Sequence, residues 1–177
     1  LSTQRTPDGT YTQGYSHIEN VCYENNSFSI TYKFDDVRLV LDVIMVHKDN
    51  TVMLDYHIIN PNRHDIVLTL TPLLRFTPKN TPFNADTVFT LEAHDDSGFF
   101  TICGNSQKVF CASTLAVRPL PETEYYSMLW TLDTRDGRDD TGLCAISHKL
   151  VCQTSDAETE QVLVYSLNEN TVSGTMK

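Results

Sequence analysis

Apolar side chains recur at every second position through most of this chain. In Val37-Arg38-Leu39-Val40-Leu41-Asp42-Val43, positions 37, 39, 41 and 43 share one face, and Val52, Leu54, Tyr56 and Ile58 do the same in the next segment. Both read as half-buried strands, which places His57 on the face opposite Tyr56 and Ile58. His47-Lys48-Asp49-Asn50 between them is polar and of hairpin length. Asn60-Pro61-Asn62-Arg63-His64-Asp65 makes a second turn before Ile66-Val67-Leu68-Thr69-Leu70 resumes the alternation, so the first half is expected to be an antiparallel meander. Phe28-Ser29-Ile30-Thr31-Tyr32 precedes it. Further strands are predicted over Thr87–Leu91, Phe99–Cys103, Val109–Val117, Tyr125–Leu132 and Gln161–Leu167, stretches rich in β-branched and aromatic residues. No window sustains the apolar spacing of an amphipathic helix; Ser155-Asp156-Ala157-Glu158-Thr159-Glu160 would make one turn at most. Short strands with turn signals between them predict an all-β fold, a two-sheet antiparallel sandwich, as a single domain over residues 1–177. The stretch Arg75 to Phe83, with Pro78 and Pro82, suits a crossover between sheets.

Composition narrows the function classes. The chain has 177 residues, 13 Lys and Arg against 23 Asp and Glu, and a net charge of −10, which repels a phosphate backbone rather than steering it. Its longest apolar run, Val43 to Val46, is far below the roughly 20 residues of a membrane span. The first residues, Leu1 to Gly9, hold neither an initiating Met nor an apolar leader core. That start is expected of a piece of a longer chain, although a processed mature protein reads the same way. Cys22, Cys103, Cys111, Cys144 and Cys152 are odd in number and form no C-x-x-C pair. Reduced thiols packed as small hydrophobes are the expectation, and with them a cytoplasmic location. Asn25-Asn26-Ser27 spells a glycosylation acceptor, read as a chance match.

Catalytic signatures are missing. The six histidines form no H-x-x-x-H or H-E-x-x-H pair, and no nucleophile elbow, P-loop or dinucleotide fingerprint occurs. No metal and no cofactor is expected, and each histidine reads as structural or surface. The one dense polar cluster is Asp133-Thr134-Arg135-Asp136-Gly137-Arg138-Asp139-Asp140, directly after the aromatic segment Tyr125 to Leu132. Carboxylates accept from sugar hydroxyls and guanidiniums donate in a planar fork, so Arg135, Asp136, Arg138, Asp139 and Asp140 are the candidates for carbohydrate or interdomain contact. An exposed turn of alternating charge needs only water, and that reading stands beside it. Trp130, the sole tryptophan, reads as a core residue.

Three stretches resemble the N-terminal domain of bacterial and archaeal glycogen debranching enzymes, the amylo-alpha-1,6-glucosidase group. They are Tyr15 to Asn20; Asn50 to Asn60 with Val67 to Phe76; and Tyr125 to Asp140 with the closing strand Glu160 to Leu167. Asp136 between Arg135 and Gly137 departs from the Arg-Gly order of the family's charged loop. The resemblance implies a galactose mutarotase-like supersandwich that forms the N-terminal part of a longer glycoside hydrolase. It also implies that the catalytic carboxylates lie in a following helical (α/α) barrel. On that reading the chain is noncatalytic, packs on the barrel and assists its handling of an alpha-glucan. The alternative is a free-standing carbohydrate-binding or aldose epimerase-like sandwich, which would need a convergent histidine and carboxylate.

Overall fold

A computed structural model describes residues 13–77, 88–94, 98–129 and 141–175. After a 3-10 turn at Gly14–His17, eleven strands follow: β1 (Ile18–Glu24), β2 (Ser27–Phe34), β3 (Val37–Met45), β4 (Thr51–Ile59), β5 (Ile66–Leu70), β6 (Thr90–His94), β7 (Phe99–Gly104), β8 (Gln107–Ser113), β9 (Ala116–Leu129), β10 (Thr141–Thr154) and β11 (Glu158–Ser166). A short helix, α1 (Glu169–Thr175), ends the described chain. The strands build an eight-stranded sheet in the order β1-β2-β3-β4-β11-β8-β7-β6 and a three-stranded sheet, β5-β10-β9. Every pairing is antiparallel. The expected all-β, two-sheet antiparallel sandwich is therefore what forms.

The core lies where the two sheets face one another. Phe100, Ile102, Leu150 and Leu163 are fully buried there, with Leu39, Tyr56 and Ile58 joining from the large sheet. Alternation does the sorting: Tyr32, Leu39 and Ile58 are directly opposite in the ladder and buried, while His57 between Tyr56 and Ile58 points to the outer face. Tight turns join β1 to β2, β2 to β3 and β7 to β8 through Asn25, Asp35, and Asn105 with Ser106, all at positive φ. Such turns match the right-handed twist of paired strands, and short polar side chains tolerate that backbone best.

The structure corrects the sequence reading in four places. The meander ends at β4, because the second edge of β4 is taken by β11 along nine paired residues, and β5 crosses to pair with β10. The segment Val109–Val117 is not one strand. It breaks after Ser113, where Thr114 donates its N–H to the Val162 carbonyl, and the chain passes from the large sheet to the small one. β10 carries no period-two signature in the sequence, since a bulge between Ile146 and His148 shifts its alternation and both faces are buried. The anticipated turn of helix at Ser155 to Glu160 instead leads into β11, and the helix forms later, at Glu169–Thr175. Pro78 and Pro82 lie outside the described residues, although the flanking elements, β5 and β6, do belong to different sheets.

Candidate functional site

The predicted contact residues Arg135, Asp136, Arg138, Asp139 and Asp140 lie outside the described residues, as does Trp130. What the structure does give is their frame: β9 and β10 pair up to Leu129 opposite Thr141, so the charged segment joins two partners of one long ladder.

Among the described residues, a cluster of titratable groups lies on the outer face of β3, β4 and β11. Asp42 is directly opposite Asp55, and His57 is directly opposite Glu160. Side chains opposite one another in such a ladder have Cβ atoms about 4.5–5.5 Å apart, so like charges here repel. Burial, then Glu160 and Asp42, push the Asp55 carboxyl above the usual range, and His57 offsets part of this. Asp55 Oδ1 and His57 Nε2 are both shielded from solvent without a hydrogen-bond partner, although His57 Nε2 lies 3.8 Å from Glu158 Oε2. Among the described residues, no grouping of three or more His, Cys, Asp and Glu is arranged to hold a metal ion.

Concavity is found elsewhere. A cavity of about 590 Å³ opens between the sheets, walled by Leu39, Leu41, Leu54, Leu70 and Leu163 and by the rings of Tyr32, Tyr56 and Tyr165. Among the described residues, no charged side chain lines it. Burial raises the Tyr56 phenol to about 12 and raises Tyr32 and Tyr165 as well, so all three stay neutral donors. The carboxylates and the cavity are thus on opposite faces of the large sheet, and neither supplies what the other lacks.

The histidines sort into separate local roles. His148 is completely buried, with Nδ1 2.9 Å from Ser147 Oγ, its ring edge-on to Phe100, and Nε2 unpartnered. His17 stacks on Phe34 and His94 bonds Thr101. His64 meets Asp36 at 3.0 Å, a histidine–carboxylate pair that close spacing in the sequence did not reveal. The two groups bond directly to each other rather than standing across a gap a substrate could enter. The pair therefore works as a tie between loops. Cys111, Cys144 and Cys152 are buried thiols, raised in pKa by burial, whereas Cys22 is exposed; none of the five is in a disulfide. No described helix is long and apolar enough to cross a membrane.

Together these features define an all-β two-layer sandwich with an acidic outer face and a neutral interior. Residues 1–161 match the family described as glycogen debranching enzyme N terminal, and the chain belongs to that family. No curated protein matches it. Among solved structures, an Escherichia coli K12 protein described as an aldose 1-epimerase is similar at 9% identity, with a TM-score of 0.41, over 84% of this chain and 67% of that one.

Proposed function

We propose that this chain is the noncatalytic N-terminal domain of a glycogen debranching-type glycoside hydrolase, packing on a helical (α/α) catalytic barrel of the same polypeptide and assisting its action on an alpha-glucan. The observation that carries this reading is the family match over residues 1–161. The separation described above supports it. Glycoside hydrolysis needs two carboxyl groups about 5–9.5 Å apart across a sugar held in a cleft. Among the described residues, Asp42, Asp55 and Glu160 sit on an outer sheet face, and none of the side chains lining the cavity is a carboxylate. Arg135, Asp136, Arg138, Asp139 and Asp140 are assigned to the barrel or glucan contact, on their chemistry.

Two measurements test this. The isolated chain is expected to release no reducing sugar from glycogen, maltodextrin or pullulan; turnover lost in Asp55→Asn would overturn the noncatalytic assignment. In the parent enzyme, Arg135→Ala with Arg138→Ala is expected to weaken glucan kinetics. Unchanged kinetics with unchanged thermal stability would make the loop ordinary solvated surface, and a stability loss with intact kinetics would make it a structural clamp.

A further inference from the structure

We propose that β1 is the seam of a two-fold dimer, in which the β1 strands of two copies of this chain pair antiparallel and join their large sheets into one. This proposal is independent of the functional reading above. Among the described residues, β1 is the outermost strand of the eight-stranded sheet, and all seven of its residues are exposed. A strand in that position presents unpaired N–H and C=O groups, which proteins ordinarily protect with Pro, Lys, bulges or a covering layer. β1 contains neither Pro nor Lys, and its one irregularity, between Ile18 and Asn20, lies at its start, leaving Asn20 to Glu24 regular.

Apolar exposure is concentrated around the same edge. Of the ten large hydrophobic side chains exposed among the described residues, Tyr15, Ile18, Val21 and Tyr23 lie on β1 or just before it. Met45 and Val46 lie beside its far end, where Met45 is hydrogen-bonded to Asn26 of the following turn. Val21 is 50% and Tyr23 is 72% exposed, and they extend the apolar rows Ile30–Leu41 and Phe28–Val43 of the inner face. Among the described residues the small sheet has three strands against eight, and these rows extend beyond it. An exposed patch of this kind on a strand edge calls for an occupant.

A second copy fits for two reasons. An antiparallel pairing of a strand with itself is isologous, so each edge supplies what the other needs, and the contact closes at two chains. Charge permits it as well. The chain carries −10, yet Asn20 to Tyr23 are uncharged, and Glu19 is held by Arg38 at 2.7 and 3.2 Å with Lys33 at 3.8 Å. Two acidic molecules can therefore approach along a locally balanced edge.

Sedimentation equilibrium of the whole chain across a range of concentrations is expected to show a reversible monomer–dimer equilibrium. Val21→Lys and Tyr23→Lys, each with an unchanged circular dichroism spectrum, should weaken it at least about tenfold, whereas Val67→Lys, at an exposed position of the small sheet, should not. A short bismaleimide should link Cys22 of one copy to Cys22 of the other, and Cys22→Ser should abolish the product. A monomer at every concentration overturns the proposal, as does a dimer that survives both lysine variants. A monomer whose β1 amides resist hydrogen exchange also overturns it, because another segment of the polypeptide then covers the edge.

Discussion

His64 Nε2 lies 3.0 Å from Asp36 Oδ2, although 28 residues separate them. The pair joins the β2–β3 turn to the loop between β4 and β5. Asn62 also donates to Asp36, while the buried Asn60 holds the loop by accepting the His64 N–H and donating to the His64 carbonyl. Arg63, at positive φ in the same loop, is kept there by its N–H bond to the Asn60 carbonyl.

Hydrogen bonds from Asn62 and then His64 hold the Asp36 carboxyl below its usual range. A depressed folded pKa contributes stability above the ordinary carboxylate value near 3.9, and that contribution is lost as pH falls through the folded value. Asp36→Asn is therefore expected to lower Tm by a few degrees at most near neutrality, because both partners are solvated. The variant and parent melting curves should converge in acid. A Tm difference that persists in strong acid would assign the loss to something other than this carboxylate.

This contact also marks what could be read from the sequence. In an up-and-down series of strands, alternate turns fall at the same end, so Asp36 and His64 are neighbours once β2, β3 and β4 are paired in order. Likewise a turn centred on His47 to Asn50 sets Asp42 opposite Asp55, as observed. Local pattern thus carried β2 to β5 and part of the acidic face, but not β1, which the alternation did not mark. It could not carry the pairing of β11 with β4, which joins residues about a hundred positions apart and brings Glu160 to His57. Nor could it carry β10, whose bulge breaks the very periodicity by which strands are recognised.

Gly104 closes against the ring of Phe89. A Cβ at this position would stand 2.6 Å from two ring carbons of Phe89, a residue 5% exposed and edge-on to Phe76. The ring is hemmed in and cannot yield cheaply. Gly104→Ala is expected to destabilise by about 1–3 kcal/mol, the usual range for overpacking, as read by urea unfolding. A cost near zero would mean that the Phe89 ring has room to retreat.

Helix α1 is held to the outer face of the large sheet by Val172, which is fully buried against Ala112 and Val164. Thr171 donates to Asp49 at 2.7 Å, and Thr51 and Ser166 form a buried hydroxyl pair at 2.6 Å beneath. Val172→Ala removes two methyl groups from that contact. It should cost about 2 kcal/mol if the helix is part of the cooperative fold. A loss of far-UV helical signal without a shift in the main transition would show instead that α1 detaches independently.

His148 provides the clearest dependence on pH. Burial among core side chains pushes its pKa from 6.5 down to about 4, because the charged ring would lose its hydration while Ser147 supplies only one neutral partner. In the unfolded chain the same ring takes up a proton near pH 6.5. Between pH 6.5 and about 4 the unfolded state therefore binds a proton that the folded state does not, and stability falls as acid is added. Above pH 6.5 the group is neutral in both states and contributes no slope. A shift of this size corresponds to about 3 kcal/mol across that window. His148→Leu should remove this part of the acid sensitivity, whatever it does to stability at pH 8. Chemical denaturation of both proteins at intervals from pH 8 to pH 4 measures it, and parallel pH profiles for parent and variant would locate the acid sensitivity elsewhere.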